Sequence, residues 1–111
     1  MSLVISTTSG DKGLMVRVAG EVDVSNADEL RDALDSALAG LVETDERSLE
    51  IDLSEVPYID STGIGVLVGT VHRADEHDIA VSVARPQRNV ARVLGLLGLS
   101  EELGVSDGQD R

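Results

Sequence analysis

The 111-residue chain has no cysteine, no tryptophan, no phenylalanine, two prolines and a single lysine, Lys12. Without cysteine there can be no disulfide, thiolate nucleophile or cysteine-ligated zinc centre. Tyr58 is the only aromatic, so a core must be assembled from Leu, Val, Ile and Ala. Positive charge is scarce: nine Lys and Arg stand against 21 Asp and Glu, a formal charge of −12. Such a surface repels phosphate backbones and anionic headgroups, so neither nucleic acid nor membrane is an expected partner. Long apolar runs are missing too. The longest, Gly63 to Val71, is about half a membrane span and includes Thr70. The first residues, Met1-Ser2-Leu3-Val4-Ile5, lack the basic-then-apolar order of a signal peptide, and a cytoplasmic location is the expectation.

What is present suits one domain, expected over residues 1–105, with 106–111 as a flexible tail. Hydrophobic residues make up 41% of the chain, and a domain of this length buries roughly two-thirds of its unfolded surface, enough for a core. Leu3 to Thr7 reads as a strand, Gly10-Asp11-Lys12-Gly13 as a turn, and Leu14, Val16 and Val18 as alternate positions of a second strand, which together predict a hairpin. Ser25 with Asp28, or Asn26 with Glu29, has capping-box spacing. Leu30, Ala33, Leu34, Ala37, Leu38 and Leu41 then follow helical spacing, with Gly40 suited to the helix end.

Leu49, Ile51 and Leu53 alternate with Glu50 and Asp52 in a third strand. A connector broken by Pro57 leads to a glycine-rich helix from Ser61 or Thr62 to about Ala74, closed by Asp75-Glu76-His77-Asp78. Ile79, Val81 and Val83 predict a fourth strand. Arg85-Pro86 opens a last helix, with Val90, Val93, Leu94 and Leu97 as its apolar stripe and Gly98 as its end, before a short element over Leu99 to Val105.

The fold class is therefore α/β, in the order β-β-α-β-α-β-α. Later strands should be parallel with right-handed crossovers. Because the strands alternate polar and apolar residues, the mixed sheet should carry its helices mainly on one face, with the other partly wetted. Ligand sites in open α/β sheets favour the carboxyl edge of the parallel strands. That edge collects Asp23, Asp60, Ser61 and Thr62, with Arg85 and Arg88 as candidate neighbours.

Asp60-Ser61-Thr62-Gly63 is the densest polar turn in the chain. Its simplest role is a helix cap, which stabilises by about 0.5–2 kcal/mol. A cap needs one oxygen-bearing side chain, however, and three stand in a row. Ser61 does not read as a nucleophile: Ile59 occupies the place of the elbow glycine, and His72 lies roughly 15 Å along the helix that Ser61 opens. Asp-Ser-Thr-Gly also occurs in aspartic proteases, which need a second such turn, and this chain has no second copy.

Four adjacent residues, Asp75 to Asp78, cannot converge on one metal ion and read as a solvated acidic turn, so no metal is expected. Gly63, Gly65 and Gly69 lack the lysine of a phosphate-binding loop, so no cofactor is expected either. They read instead as close-packing positions, Gly65 and Gly69 above all, at a cost of about 0.8–1 kcal/mol of helical propensity each. Arg85, Arg88 and Arg92 have the spacing of one helix face. They either pair with the chain's own acids or meet an acidic partner or phosphate.

Gly20-Glu21-Val22-Asp23, Asp60-Ser61-Thr62-Gly63-Ile64-Gly65-Val66-Leu67, and Val93-Leu94 through Gly98-Leu99 resemble three segments of the STAS domain family, in particular its small single-domain anti-sigma factor antagonists. The second segment is the specific one, and the resemblance runs from the first strand to Leu99. It implies a non-enzymatic module that, unphosphorylated, binds an anti-sigma factor which is also a GHKL-type serine kinase, and so frees a sigma factor. It further implies that this kinase phosphorylates Ser61, with Thr62 a secondary acceptor, that a PP2C-type phosphatase reverses the mark, and that partner binding uses Glu21, Asp23, Asp60, Ser61, Thr62, Gly63 and Ile64. A monomer is expected. The alternative within the same family is a subunit docking on an ABC transporter ATPase or a signalling assembly.

Overall fold

A computed structural model describes residues 2–10 and 13–106. Strands β1 (Val4–Ser9) and β2 (Gly13–Ala19) form the expected hairpin, with Val16 opposite Thr7. Helix α1 (Ala27–Val42) leads to β3 (Ser48–Glu55), and α2 (Ser61–Asp75) leads to β4 (Ala80–Ala84) and then α3 (Arg88–Leu96). The order β-β-α-β-α-β-α is thus as expected.

The four strands lie in sequence order, β1-β2-β3-β4. The first pair is antiparallel, and the β2–β3 and β3–β4 pairs are parallel. Successive crossovers that step the same way across a sheet place their helices on the same face. Accordingly α1 packs beside α2 and over β1, β2 and β3, while α2 lies over β4. The core sits in that layer. Val16, Val18, Leu49, Ile51, Leu53 and Val83 from the strands meet Leu30, Leu34, Leu41 and Leu67 from the helices.

Four local expectations are corrected. Neither capping box forms: Asn26 occupies the cap position of α1 without a side-chain cap bond, and Glu29 instead accepts the Leu3 amide at 3.0 Å. Gly40 lies inside α1 rather than at its end. The helix-end carbonyls of Gly40 and Leu41 are met by the Glu43 and Thr44 amides, and Leu41 also by the Arg47 guanidinium, so no left-handed glycine is needed.

Helix α3 starts at Arg88, after Pro86. Arg85 is outside it in a left-handed conformation (φ 52°) and therefore shares no helix face with Arg88 and Arg92. Of the stripe expected on α3, Val90 and Leu94 are buried, but Val93 and Leu97 are exposed.

Other ends fall where the sequence places them. Gly98 (φ 73°) closes α3, with the Leu99 amide bonded to the Leu94 carbonyl and the Gly98 amide to Gly95, the paired bonds of a glycine-ended helix. The last described residues form the expected short element. Turns at 99–104 lead to Ser106, which bonds to both Val83 and Arg85 along β4. Ser106, expected in the tail, thus lies on the sheet edge, and residues 107–111 of that tail lie outside the described residues.

The far face of the sheet is less wetted than its alternating pattern implies. Asp52, expected to face solvent, is 0% exposed. Register explains this: Asp52 lies between Arg17 on β2 and Ala84 on β4. Its Oδ2 accepts from Arg17 at 3.3 Å and from Arg85 at 2.5 Å, and its Oδ1 accepts the Ser54 amide at 2.9 Å. Burial pushes the Asp52 carboxyl upward, but the Arg85 guanidinium and then Ser54 outweigh it and hold the group at about 2.

Candidate functional site

The site is built from two loops sewn together at the carboxyl edge of β2 and β3. The Val22 amide bonds to the Tyr58 carbonyl at 2.9 Å, and the Asp60 amide bonds to the Val22 carbonyl at 3.0 Å, a parallel bridge between Val22 and Ile59. Gly20 adds a bond to the Glu55 carbonyl at 3.0 Å. The bridge continues the β2–β3 register past the strand ends and brings the Asp23 and Asp60 segments side by side. The neighbourhood expected for Asp23, Asp60, Ser61 and Thr62 is therefore present.

Asp60 caps α2. Its Oδ1 accepts the Gly63 amide at 3.0 Å and its carbonyl accepts the Ile64 amide at 2.9 Å. With Asp60 as the cap, Ser61 and Thr62 are left as the first two helical residues, both exposed. Among the described residues, neither their hydroxyls nor their amides have a hydrogen-bond partner. Free N–H groups at a helix start carry the positive end of the helix dipole.

Gly63 is buried against the bridge. A Cβ there would lie 2.6 Å from Val22 Cγ1 and 2.7 Å from Ile59 Cγ1. Its missing side chain lets the helix start settle onto both loops. Gly65 differs: a Cβ there would meet nothing within 4 Å, and at Gly69 only the Arg73 side chain is near. The close packing expected of Gly65 and Gly69 is therefore not what the structure uses. Gly63→Ala should lower unfolding free energy by about 1–3 kcal/mol through overpacking. Gly65→Ala should raise it by up to ~1 kcal/mol through helix propensity. Parallel urea titrations of the two variants will show whether the shifts have opposite signs.

The other loop is held by Asn26, which is buried. Its Oδ1 accepts the Asp23 amide at 3.0 Å and its Nδ2 donates to the Glu21 carbonyl at 2.8 Å. Asp23 Oδ1 in turn accepts the Ser25 hydroxyl at 2.6 Å and the Ser25 amide at 2.9 Å. The Ser25 hydroxyl, then the Ser25 amide, hold the Asp23 carboxyl below its ordinary value. Glu21 is exposed on the same loop.

Two expected site residues lie elsewhere. Ile64 is 6% exposed and belongs to the core, so it offers a partner no side-chain surface, and Arg85 turns to Asp52 and Glu50 on the opposite face of the sheet. Gly63, also buried, shapes the site rather than presenting to a partner.

Sequence reasoning missed three residues. Asn26 reads as a cap but braces the Glu21–Asp23 loop. Val24 and Tyr58, both exposed, flank the carboxylates. The signal for Tyr58 was available, since a lone aromatic in a loop beside a polar motif is a typical contact anchor. For Asn26 there was none, because a cap and a loop brace have the same local sequence.

The edge thus presents Glu21, Asp23, Asp60 and two free hydroxyls around a helix start. Among the described residues, no group of three or more His, Asp or Glu side chains is arranged to hold a metal ion, and no helix is long and apolar enough to cross a membrane.

Comparison with known proteins agrees with this architecture. The STAS domain family model matches residues 3–109. An anti-sigma-B factor antagonist of Staphylococcus aureus (strain NCTC 8325 / PS 47) is 31% identical over 110 residues, covering 99% of this chain and 98% of that protein. Among solved structures, an anti-sigma factor antagonist from Mycobacterium paratuberculosis aligns with a TM-score of 0.80 at 24% identity over 93% of this chain and 84% of that one. The anti-sigma factor antagonist SpoIIAA aligns in its unphosphorylated form with a TM-score of 0.77 at 16% identity, covering 96% of this chain and 90% of that one. Its phosphorylated form aligns with a TM-score of 0.71 at 15% identity, covering 96% and 93%. With a family match over nearly its whole length and a relative 31% identical end to end, this chain belongs to the STAS domain family.

Proposed function

We propose that this domain is an anti-sigma factor antagonist, a binding module switched by phosphorylation of Ser61 and without catalysis of its own. The observation that carries the proposal is the Ser61 hydroxyl, exposed and unpartnered among the described residues at the start of α2. The end-to-end similarity to a protein named as an anti-sigma-B factor antagonist supports the partner class.

A phosphate on Ser61 would bring about −1.5 to −2 charges. The free amides of Ser61 and Thr62 and the helix dipole can receive it without unfolding the domain. Asp23 and Asp60 would oppose it. The switch therefore acts on binding rather than on folding. An acidic rim of Glu21, Asp23 and Asp60 calls for a basic contact face on the partner. In this reading the partner is an anti-sigma factor that is also a GHKL-type serine kinase. A PP2C-type phosphatase removes the mark, Thr62 is a secondary acceptor, and the domain works as a cytoplasmic monomer.

The test is incubation with ATP and the kinase recovered by pull-down, with the phosphate located by mass spectrometry. One phosphate on Ser61, and none on folded Ser61→Ala, is the expected outcome. Phosphate elsewhere, with regulation intact in Ser61→Ala, would remove the proposal.

A further inference from the structure

Among the described residues, two arginine side chains have no partner in the fold. Among the described residues, Arg17 and Arg85 pair with Asp52, Arg31 with Asp28 and Arg73 with Asp35, while Arg47 donates to backbone carbonyls. The side chains of Arg88 and Arg92 have neither an ion pair nor a hydrogen bond there, although the chain has 21 acidic residues. Both lie on α3, one turn apart and exposed. Arg88 is the first residue of the helix, whose first turn has no acidic residue and where the helix dipole disfavours positive charge.

Beside them runs the most exposed apolar surface of any helix. Val93 is 40%, Leu96 77% and Leu97 57% exposed. At helical spacing Arg88, Arg92 and Leu96 form one row, and Asn89, Val93 and Leu97 form the next. The core face of α3, Val90 and Leu94, lies opposite the Arg88, Arg92 and Leu96 row and borders the Asn89, Val93 and Leu97 row. The helix is also held in place: Asn89 Nδ2 donates to the Pro57 carbonyl at 2.8 Å, and Gln87 Nε2 to the Ser54 carbonyl at 3.0 Å.

We propose that this outer face of α3 is a docking surface for an acidic amphipathic helix of another protein. Its apolar side would cover Val93, Leu96 and Leu97, and its carboxylates would meet Arg88 and Arg92. Charge complementarity selects this occupant. A second copy docked symmetrically would set the arginines against one another. A phosphate group would meet the arginines but leave the leucines uncovered. None of these residues is the proposed phosphate acceptor, so failure of this proposal would leave the phosphorylation proposal standing.

The test uses two synthetic amphipathic peptides of about 18 residues with the same leucine stripe, one flanked by glutamates and one by lysines. Each is titrated into the isotope-labelled domain and followed by NMR. The acidic peptide should shift amides of residues 88–97 with a Kd on the order of a millimolar or tighter. The Arg88→Glu/Arg92→Glu double variant should lose about tenfold in that affinity and gain affinity for the lysine peptide. Leu96→Ser should weaken both pairings. Because these residues are on the surface, all variants should keep the wild-type circular dichroism spectrum, which checks the fold.

Shifts that map elsewhere, or an affinity unchanged by charge reversal, would overturn the proposal. So would a dimer in sedimentation equilibrium that Leu96→Ser dissolves, since the occupant would then be a second copy. Binding to phosphatidylglycerol vesicles by a domain that ignores the acidic peptide would overturn it in favour of a membrane.

Discussion

Phosphorylated at Ser61, the domain should bind its kinase partner about 100- to 1000-fold more weakly than the unmodified domain, with little change in its own stability. A thousandfold loss corresponds to about 4 kcal/mol. Loss of a buried polar contact at the Ser61 hydroxyl, together with a like-charge clash, supplies roughly 2–5 kcal/mol. The stability side follows from the local geometry. Asp60 already caps α2 through Gly63, so a phosphate on Ser61 displaces no existing bond. It gains two free amides and is opposed by the Asp23 and Asp60 carboxylates, terms of opposite sign.

Calorimetric titration of both forms, with thermal melts alongside, separates binding from folding. Ser61→Asp, with one charge and a shorter reach, should weaken binding less than the phosphate. The effect of phosphate should shrink at high salt, because part of it is screened Coulomb repulsion. A phosphorylated domain that bound as tightly as the unmodified one, or that lost its fold, would exclude this form of switch.

Removal of the Asp52 carboxylate should produce the largest stability change of any polar substitution. Asp52→Asn is expected to cost about 2–3 kcal/mol, a fall of about 10–20 °C in Tm. This is the low end for a broken buried pair, because Arg17 and Arg85 are half-exposed and can return to water.

The pH dependence follows from the same bonds. In the folded chain the carboxyl is held at about 2, below its ordinary value of 3.8. Its contribution is therefore fully present above pH 3.8 and is lost as the pH falls through that value toward 2. By linkage it amounts to about 2–3 kcal/mol. Urea unfolding of wild type and Asp52→Asn at pH 7, 4, 3 and 2 isolates this group from the chain's other acids. The difference between the two proteins should be large at pH 7 and nearly gone at pH 2. A difference that stayed constant with pH would mean that packing, rather than charge, holds Asp52.

Much of the architecture is local and could be read along the chain. Alternation at Val16 and Val18 and at Leu49, Ile51 and Leu53, with helical spacing from Leu30 to Leu41, expresses which side of each element meets water. Gly98 ends α3 because a left-handed residue closes a helix, a property of one residue and its neighbours. Asp60-Ser61-Thr62-Gly63 stands out for a similar reason: a cap followed by free polar residues is a pattern over four positions.

Contacts between distant segments are a different matter. Arg85 has the spacing to share a helix face with Arg88, but it is drawn to Asp52, 33 residues away, across a register that no local pattern encodes. Gly63 and Gly65 look alike in the sequence. Only the Val22–Ile59 bridge makes one indispensable and leaves the other facing open space. Ile64 reads as part of a contact motif, yet it is turned into the core. On its own, the sequence determined the elements, their order and the turn that holds Ser61, because periodicity and capping are set by near neighbours. The tertiary structure decided which side chains that turn presents, because strand register and loop pairing join residues whose separation leaves no trace in local sequence.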